Sequence, residues 1–167
     1  WAGRLQAILT RSTGFDHLSR YLATAPVTPA CGYLPLYCHR AVAEQAMLLW
    51  MALLRRLPLQ MRHFQGFDRD GLTGREAYGK HLLGVGVGRI GAEMVRLGQG
   101  LGMEVRGVDP VRRCAGLEYV TYEEGAGWAD IVAVAMSLND GNRGYFQASR
   151  LAMLRAGAVL VNVARGE

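Results

Sequence analysis

The residues best suited to chemistry are three glycines, at positions 86, 88 and 91, which lie between two apolar runs. Residues 81–85 predict a strand, and residues 92–97 predict the first turns of a helix. Gly86 would permit a tight turn, Gly88 would let the backbone approach a ligand, and Gly91 would let the helix pack close to the strand. A helix that begins in this way presents N–H groups and a positive end to a pyrophosphate.

An aspartate completes this pattern. Asp109 ends the next apolar run and follows Gly91 at close to the offset of about 20 residues that dinucleotide sites show. Its carboxylate would accept hydrogen bonds from the hydroxyls of an adenosine ribose. The order of strand, glycine turn, helix, strand and acid therefore predicts a dinucleotide site. The alternative is a glycine-rich turn in another kind of α/β protein, because the chain contains 22 glycines.

The rest of the second half alternates between the two kinds of secondary structure. Strands are predicted at 82–85, 105–109, 131–135 and 159–163, and helices at 90–101, 122–128 and 149–154. This alternation favours an α/β fold with a parallel sheet covered on both faces. The continuous apolar strands at 131–135 and 158–161 fit strands buried on both sides.

The first half gives fewer signals. A short strand is predicted at 5–9, an extended connector at 25–35 and a polar linker at 63–78. Residues 41–56 predict a helix that is apolar on nearly every side, and such a helix is expected to lie buried between layers. Pro58 follows it and is interpreted as its stop signal.

Composition excludes several classes of protein. Of the 167 residues, 50% are hydrophobic and the net charge is +5, which indicates a globular domain with a mildly basic surface. The arginines are scattered, so we expect no nucleic-acid partner. The three cysteines lack the spacing of a zinc site, so we expect no metal and a reducing, cytoplasmic location. The longest apolar stretch, 41–54, is too short to cross a membrane.

Four separated blocks, at 11–17, 41–44, 79–91 and 151–167, resemble those of the D-isomer-specific 2-hydroxyacid dehydrogenases in order and spacing. The resemblance covers nearly the whole chain. It implies a Rossmann-type doubly wound parallel sheet, incomplete here, preceded by part of a flavodoxin-like substrate domain. Residues 1–40 would belong to the substrate domain, 41–78 to an interdomain helix and linker, and 79–167 to a truncated NAD-binding domain.

The resemblance also implies roles for individual residues. Thr13 and Gly14 would bind the substrate carboxylate, and Arg165 would be the catalytic arginine and a substrate ligand. The cofactor positions would be Thr13, Val42, Gly86, Gly88, Arg89, Ile90, Gly91, Asp109, Met136, Ser137, Val163, Ala164 and Arg165. The guanidinium of Arg165 suits the catalytic role because it can bind a 2-oxo acid bidentately and stabilise the alkoxide character that hydride transfer creates. The alternative for Arg165 is a surface arginine at a strand end.

The activity implied is the NAD-dependent interconversion of a D-2-hydroxy acid and its 2-oxo acid, in a protein that forms a homodimer. NADP is less favoured, because Asp109 would repel a 2′-phosphate even though Arg112 and Arg113 follow it. The particular 2-hydroxy acid is not indicated.

The family's acid/base histidine and its glutamate partner have no match in this chain. The histidines at 17, 39, 63 and 81 do not correspond to that role by position, and the chain begins with Trp1. We therefore expect an internal fragment of a longer protein, with little or no turnover of its own. The alternative is a non-catalytic, nucleotide-sensing or corepressor-like module of the same fold.

Overall fold

The computed structural model describes residues 5–25, 29–66 and 69–166, and these form two compact units that divide between His39 and Arg40. The first unit contains strand β1 (Ala7–Thr10), helix α1 (Asp16–Leu22) and strand β2 (Ala30–Tyr33). The two strands pair in parallel, so α1 lies in the crossover connection between them. The expected connector at 25–35 is therefore wrong for residues 30–33, and residues 26–28 lie outside the described part.

The second unit is built on a five-stranded sheet. Its elements are α2 (His39–Leu54), α3 (Leu57–His63), β3 (His81–Val85), α4 (Arg89–Gly100), β4 (Glu104–Val108), β5 (Glu118–Tyr119), α5 (Tyr122–Ala126), β6 (Ile131–Val134), α6 (Ala148–Leu151) and β7 (Val159–Asn162). The strand order is β5-β4-β3-β6-β7, and every pair is parallel. The chain leaves β3 toward one side of the sheet and returns to its other side at β6. This is the Rossmann-type arrangement, with its switch point between β3 and β6.

Each predicted helix and strand of the second unit overlaps an observed one, but two elements were not predicted. Strand β5 has two residues, which is too short for a periodic signal. Helix α3 was missed because Pro58 was interpreted as a stop, whereas it lies in the first turn of a new helix. Arg56, with a φ of 55°, makes the left-handed break between α2 and α3. In the predicted linker, residues 64–66 and 69–78 form neither helix nor strand.

The sheet separates two apolar clusters. On one face Leu82, Ile131 and Ala133 pack with residues of α2 and α4, and on the other face Leu83, Val85, Val132 and Val134 pack with α5. Strand β6 is buried at all four positions, as predicted for a central strand. Burial on both sides is wrong for β7, where Leu160 is 38% exposed, because only the alternate residues Val159 and Val161 pack into an apolar cluster.

The expectation that the apolar helix at 41–56 lies buried between layers is also wrong. Only one stripe of α2 is buried, and it consists of Ala43, Ala46, Trp50 and Leu54. This spacing of three and four residues is that of a helix packed through one face. Leu48 is 54% exposed and Leu53 is 49% exposed. The described residues of this unit therefore leave these apolar side chains of α2 largely uncovered.

Candidate functional site

The three glycines form the connection between β3 and α4. Gly86 has a φ of +89°, and a Cβ there would collide with the backbone of Ala135 and Met136 after β6. A Cβ on Gly91 would collide with the carbonyl group of Gly86. Both positions therefore require glycine for steric reasons inside the protein. A Cβ on Gly88 would meet nothing within 4 Å, so its predicted role of leaving room for a ligand stays a prediction.

Asp109 lies directly after β4 and reaches back to this turn. Its Oδ2 accepts a hydrogen bond from the Val87 amide at 2.7 Å, and its Oδ1 accepts one from the Val111 amide at 2.8 Å. The Gly86 amide donates to the carbonyl oxygen of Val108 at 2.8 Å. Asp109 is therefore in contact with the glycine turn at Val87, which lies 22 positions earlier in the sequence.

These bonds determine which amides can bind an anion. The Gly86 and Val87 amides already donate hydrogen bonds within the protein, and the Ala92 amide donates to the Gly88 carbonyl oxygen. The amides at the start of a helix have no carbonyl partner within it, and in α4 these belong to Arg89, Ile90 and Gly91. The amides that remain for the predicted pyrophosphate site are therefore those of Gly88 and the first turn of α4.

A groove of about 620 Å³ adjoins this turn. It is lined by Val87, Gly88, Arg89, Ala92, Val95, Arg96, Gln99, Arg113, Cys114, Ala115 and Leu117. Three of these residues are arginines and none is acidic. Arg96 forms an ion pair with Glu93, which leaves the groove with a positive balance that attracts phosphates.

A second, smaller cavity of about 130 Å³ lies at the carboxyl ends of β6 and β7. It is lined by Val134, Met136, Leu138, Asn142, Gly144, Phe146, Asn162, Ala164, Arg165 and Gly166. The structure thus brings together Met136, Ala164 and Arg165, three of the predicted site residues. Asn142 donates to the Ser137 carbonyl oxygen at 2.7 Å and closes the loop after β6.

Asn162 is a positioning residue that the sequence analysis missed. Its Oδ1 accepts a hydrogen bond from the Ala164 amide at 2.9 Å, and its Nδ2 donates to the Arg165 carbonyl oxygen at 2.8 Å. The Val163 amide donates to the Val134 carbonyl oxygen at 3.0 Å. The backbone that carries Arg165 is therefore fixed on both sides. An asparagine at the end of an apolar strand, which often bonds to the backbone two residues on, was the available signal.

The remaining predicted residues lie elsewhere. Thr13 and Gly14 belong to the first unit, in the connection between β1 and α1, where Thr13 Oγ1 lies 3.1 Å from Cys38 Sγ. Ser12 donates to the Gly14 carbonyl oxygen at 2.7 Å. Val42 lies near the start of α2 and is partly buried. The grouping of Thr13, Gly14 and Val42 with the glycine turn stays a prediction.

Within residues 5–25, 29–66 and 69–166, no group of three or more histidine, cysteine, aspartate or glutamate side chains could hold a metal ion. No helix in the same ranges is both long enough and apolar enough to cross a membrane.

Known proteins resemble this chain in sequence. Residues 47–167 match the family described as D-isomer specific 2-hydroxyacid dehydrogenase, NAD binding domain. The 2-hydroxyacid dehydrogenase A of Aspergillus oryzae is 30% identical over 174 residues, covering 99% of this chain and 49% of that protein. The D-lactate dehydrogenase of Escherichia coli is 32% identical over 139 residues, covering 80% of this chain and 42% of that protein. The chain spans about half the length of these curated relatives.

Solved structures give the same result for the fold. The D-lactate dehydrogenase of Aquifex aeolicus, complexed with NAD and lactic acid, superposes with a TM-score of 0.86 at 27% identity, covering 98% of this chain and 51% of that one. The apo form of the Escherichia coli D-lactate dehydrogenase gives a TM-score of 0.84 at 28% identity, with coverages of 96% and 52%. Together with the family match over most of its length, these similarities show that the chain belongs to the D-isomer specific 2-hydroxyacid dehydrogenase family.

Proposed function

We propose that the protein is an NAD-dependent oxidoreductase that interconverts a D-2-hydroxy acid and its 2-oxo acid. One observation carries the proposal. The Asp109 carboxylate accepts a hydrogen bond from the Val87 amide, in the glycine turn at the switch point of the sheet. The proposed ribose-binding residue and the proposed pyrophosphate site would then be adjacent, at the carboxyl ends of the strands, where doubly wound sheets bind dinucleotides.

The site residues divide between the two ends of the cofactor. The pyrophosphate would lie on Gly88 and the amides of Arg89, Ile90 and Gly91, with the groove arginines adding attraction. Asp109 would bind the adenosine ribose. Toward the nicotinamide end, the site would be completed by Val42, Met136, Ser137, Val163, Ala164 and Arg165.

Arg165 supplies the chemistry that this chain can contribute to the substrate. When bound, NADH supplies the hydride. The Arg165 guanidinium would bind the 2-oxo acid and stabilise negative charge on the carbonyl oxygen as the hydride arrives. The Asn162 side chain fixes the backbone on either side of Ala164, so the position of Arg165 is set before substrate binds.

The product oxygen also needs a proton. His81 lies at the amino end of β3, and the glycine turn follows the carboxyl end of the same strand. The His81 ring stacks on Trp128 with ring centroids 4.3 Å apart. His63 ends α3. His17 lies in α1 and His39 begins α2. We assign the proton donor to none of these four histidines.

The exposed apolar surface of α2 and α3 supports a homodimer. It comprises Leu48, Leu49, Leu53, Leu57, Met61 and the adjoining Phe64, which are between 39% and 76% exposed. Several large apolar side chains exposed on two successive helices are typical of an interaction site in a soluble protein. Because the family resemblance implies a homodimer, we propose a second copy of the protein as the occupant.

We also propose a cytoplasmic location. Cys31, Cys38 and Cys114 are all free thiols. Unpaired cysteines are common in reducing compartments.

NADH is expected to bind at least about tenfold more tightly than NADPH, because a 2′-phosphate would face the Asp109 carboxylate; a factor of ten corresponds to about 1.4 kcal/mol. Fluorescence titration of the protein with each nucleotide measures both affinities. Tighter binding of NADPH would contradict the assignment of Asp109 to the ribose.

Oxamate, an unreactive analogue of a 2-oxo acid, is expected to bind to the NADH complex, and Arg165→Gln should weaken it about 10- to 100-fold, the cost of a hydrogen bond to a charged group. Calorimetry with saturating NADH measures this effect.

The 167-residue chain should reduce 2-oxo acids slowly, since general acid–base help is typically worth about 10²–10⁴-fold. Turnover at an ordinary enzyme rate would contradict this expectation.

Gly86→Ala and Gly88→Ala should have different effects. The first places a side chain against the Met136 backbone at a positive φ, so we expect a loss of several degrees in Tm. Gly88→Ala has room for its Cβ, so its Tm should stay within about 1 °C of the wild-type value while its affinity for NADH falls about tenfold. Thermal unfolding and NADH titration separate the two. Unchanged NADH affinity in Gly88→Ala would place the pyrophosphate elsewhere.

Leu49→Glu and Leu53→Glu should convert a dimer to a monomer, because each places a charge in the centre of the apolar surface of α2 and α3. Sedimentation velocity measures the state of association. Gln147→Glu, which adds the same charge to an exposed position before α6, serves as the matched control and should remain a dimer. A wild-type protein that is monomeric at high concentration would rule out this interface.

A further inference from the structure

We propose that Asp109 is a positioning residue for the phosphate-binding turn as well as a ligand for the ribose, an inference that rests on the proposed function. Its carboxylate holds the peptide of Val87, and this sets the geometry of the amides that follow. Loss of the carboxylate should therefore weaken binding even of a nucleotide that has no ribose hydroxyls.

The carboxylate has the capacity for both roles. A carboxylate offers about four lone-pair sites, two on each oxygen. The Val87 amide uses one site on Oδ2 and the Val111 amide uses one on Oδ1. One site on each oxygen remains, which matches the two hydroxyl groups of a ribose. An asparagine could not replace this arrangement fully, since its amide nitrogen would face one of the two N–H donors.

Val87 is held at two points. Its side chain is fully buried, in a small cluster with Val95 of α4 and Leu117 before β5. Its amide is held by Asp109. The residue before it, Gly86, donates to the Val108 carbonyl oxygen. Two successive amides of the turn are thus bound to the end of β4.

This anchoring leaves the later amides for the ligand. The Ala92 amide makes the first helical bond, to the Gly88 carbonyl oxygen, so Arg89, Ile90 and Gly91 contribute the unpaired donors of the first turn. Without the carboxylate, the Val87 amide would be a buried donor with no acceptor. The turn would have to move to satisfy it, and the first-turn donors would move with it.

The two roles predict effects of opposite sign on a suitable ligand. If Asp109 only binds ribose hydroxyls, removing its negative charge should leave unchanged, or strengthen, the binding of a diphosphate that lacks those hydroxyls. If Asp109 positions the turn, the same change should weaken that ligand. ADP and 2′,3′-dideoxy-ADP differ only in the two hydroxyl groups and therefore separate the roles.

The experiment measures ADP and 2′,3′-dideoxy-ADP binding by calorimetry to the wild-type protein, Asp109→Ala, Asp109→Asn and Glu104→Gln. We expect Asp109→Ala to weaken ADP about 100-fold and the dideoxy nucleotide about tenfold. Asp109→Asn, which keeps one acceptor, should recover part of the dideoxy affinity. Glu104→Gln removes the same charge from the other end of β4 and should change neither ligand.

A second measurement does not depend on affinity. Amide hydrogen exchange at Val87, followed by NMR, should become faster in Asp109→Ala and stay unchanged in Glu104→Gln. Unchanged exchange at Val87, or dideoxy-ADP binding to Asp109→Ala as tight as to the wild type, would overturn the positioning role and leave the ribose role intact. If the wild-type protein binds neither ADP nor NADH, the proposed function fails, and this inference fails with it.

Discussion

The structure of the site depends on one close approach, between the glycine turn after β3 and the backbone that leaves β6. Gly86 lies against the backbone of Ala135 and Met136 with no room for a Cβ, and Gly91 lies against the Gly86 carbonyl group. These contacts allow α4 to begin directly over the carboxyl end of β3. Any larger residue would separate the helix from the sheet, and the first-turn amides would then lie away from the residues after β4 and β6.

Because the sheet is parallel, the residues that follow its strands lie on one side of it, at the carboxyl ends of the strands. Strands β4, β3, β6 and β7 are neighbours, and their carboxyl ends point the same way. Asp109 follows β4, the glycines follow β3, Met136 follows β6 and Arg165 follows β7. Arginines line the groove beside the turn, the Asp109 carboxylate accepts a hydrogen bond from the Val87 amide of the turn, and Arg165 follows β7. Residues far apart in the chain therefore lie at the same side of the sheet, where its strands end.

Much of the second unit could be predicted, because its signals are local. The apolar runs of β3 and β6 are continuous, the glycines of the turn are closely spaced, and Asp109 ends a strand. Other features depend on distant parts of the chain. Which side of α2 is buried depends on the sheet that covers Trp50, and helix composition alone does not contain that information. β2 was missed because its neighbours are rich in proline and glycine. The two amides held by Asp109 could not be predicted, since they follow from three-dimensional proximity.

The position of each strand within the sheet also has a consequence for how the molecule opens. β3 and β6 have hydrogen-bonded strands on both sides, whereas β7 pairs only with β6 among the five strands described. Outer strands are generally the first to fray, and central ones persist until global unfolding. The turn that begins α4 is attached to a central strand, and Arg165 follows an outer one. On warming, the backbone that carries Arg165 should therefore loosen while the turn that begins α4 is still formed.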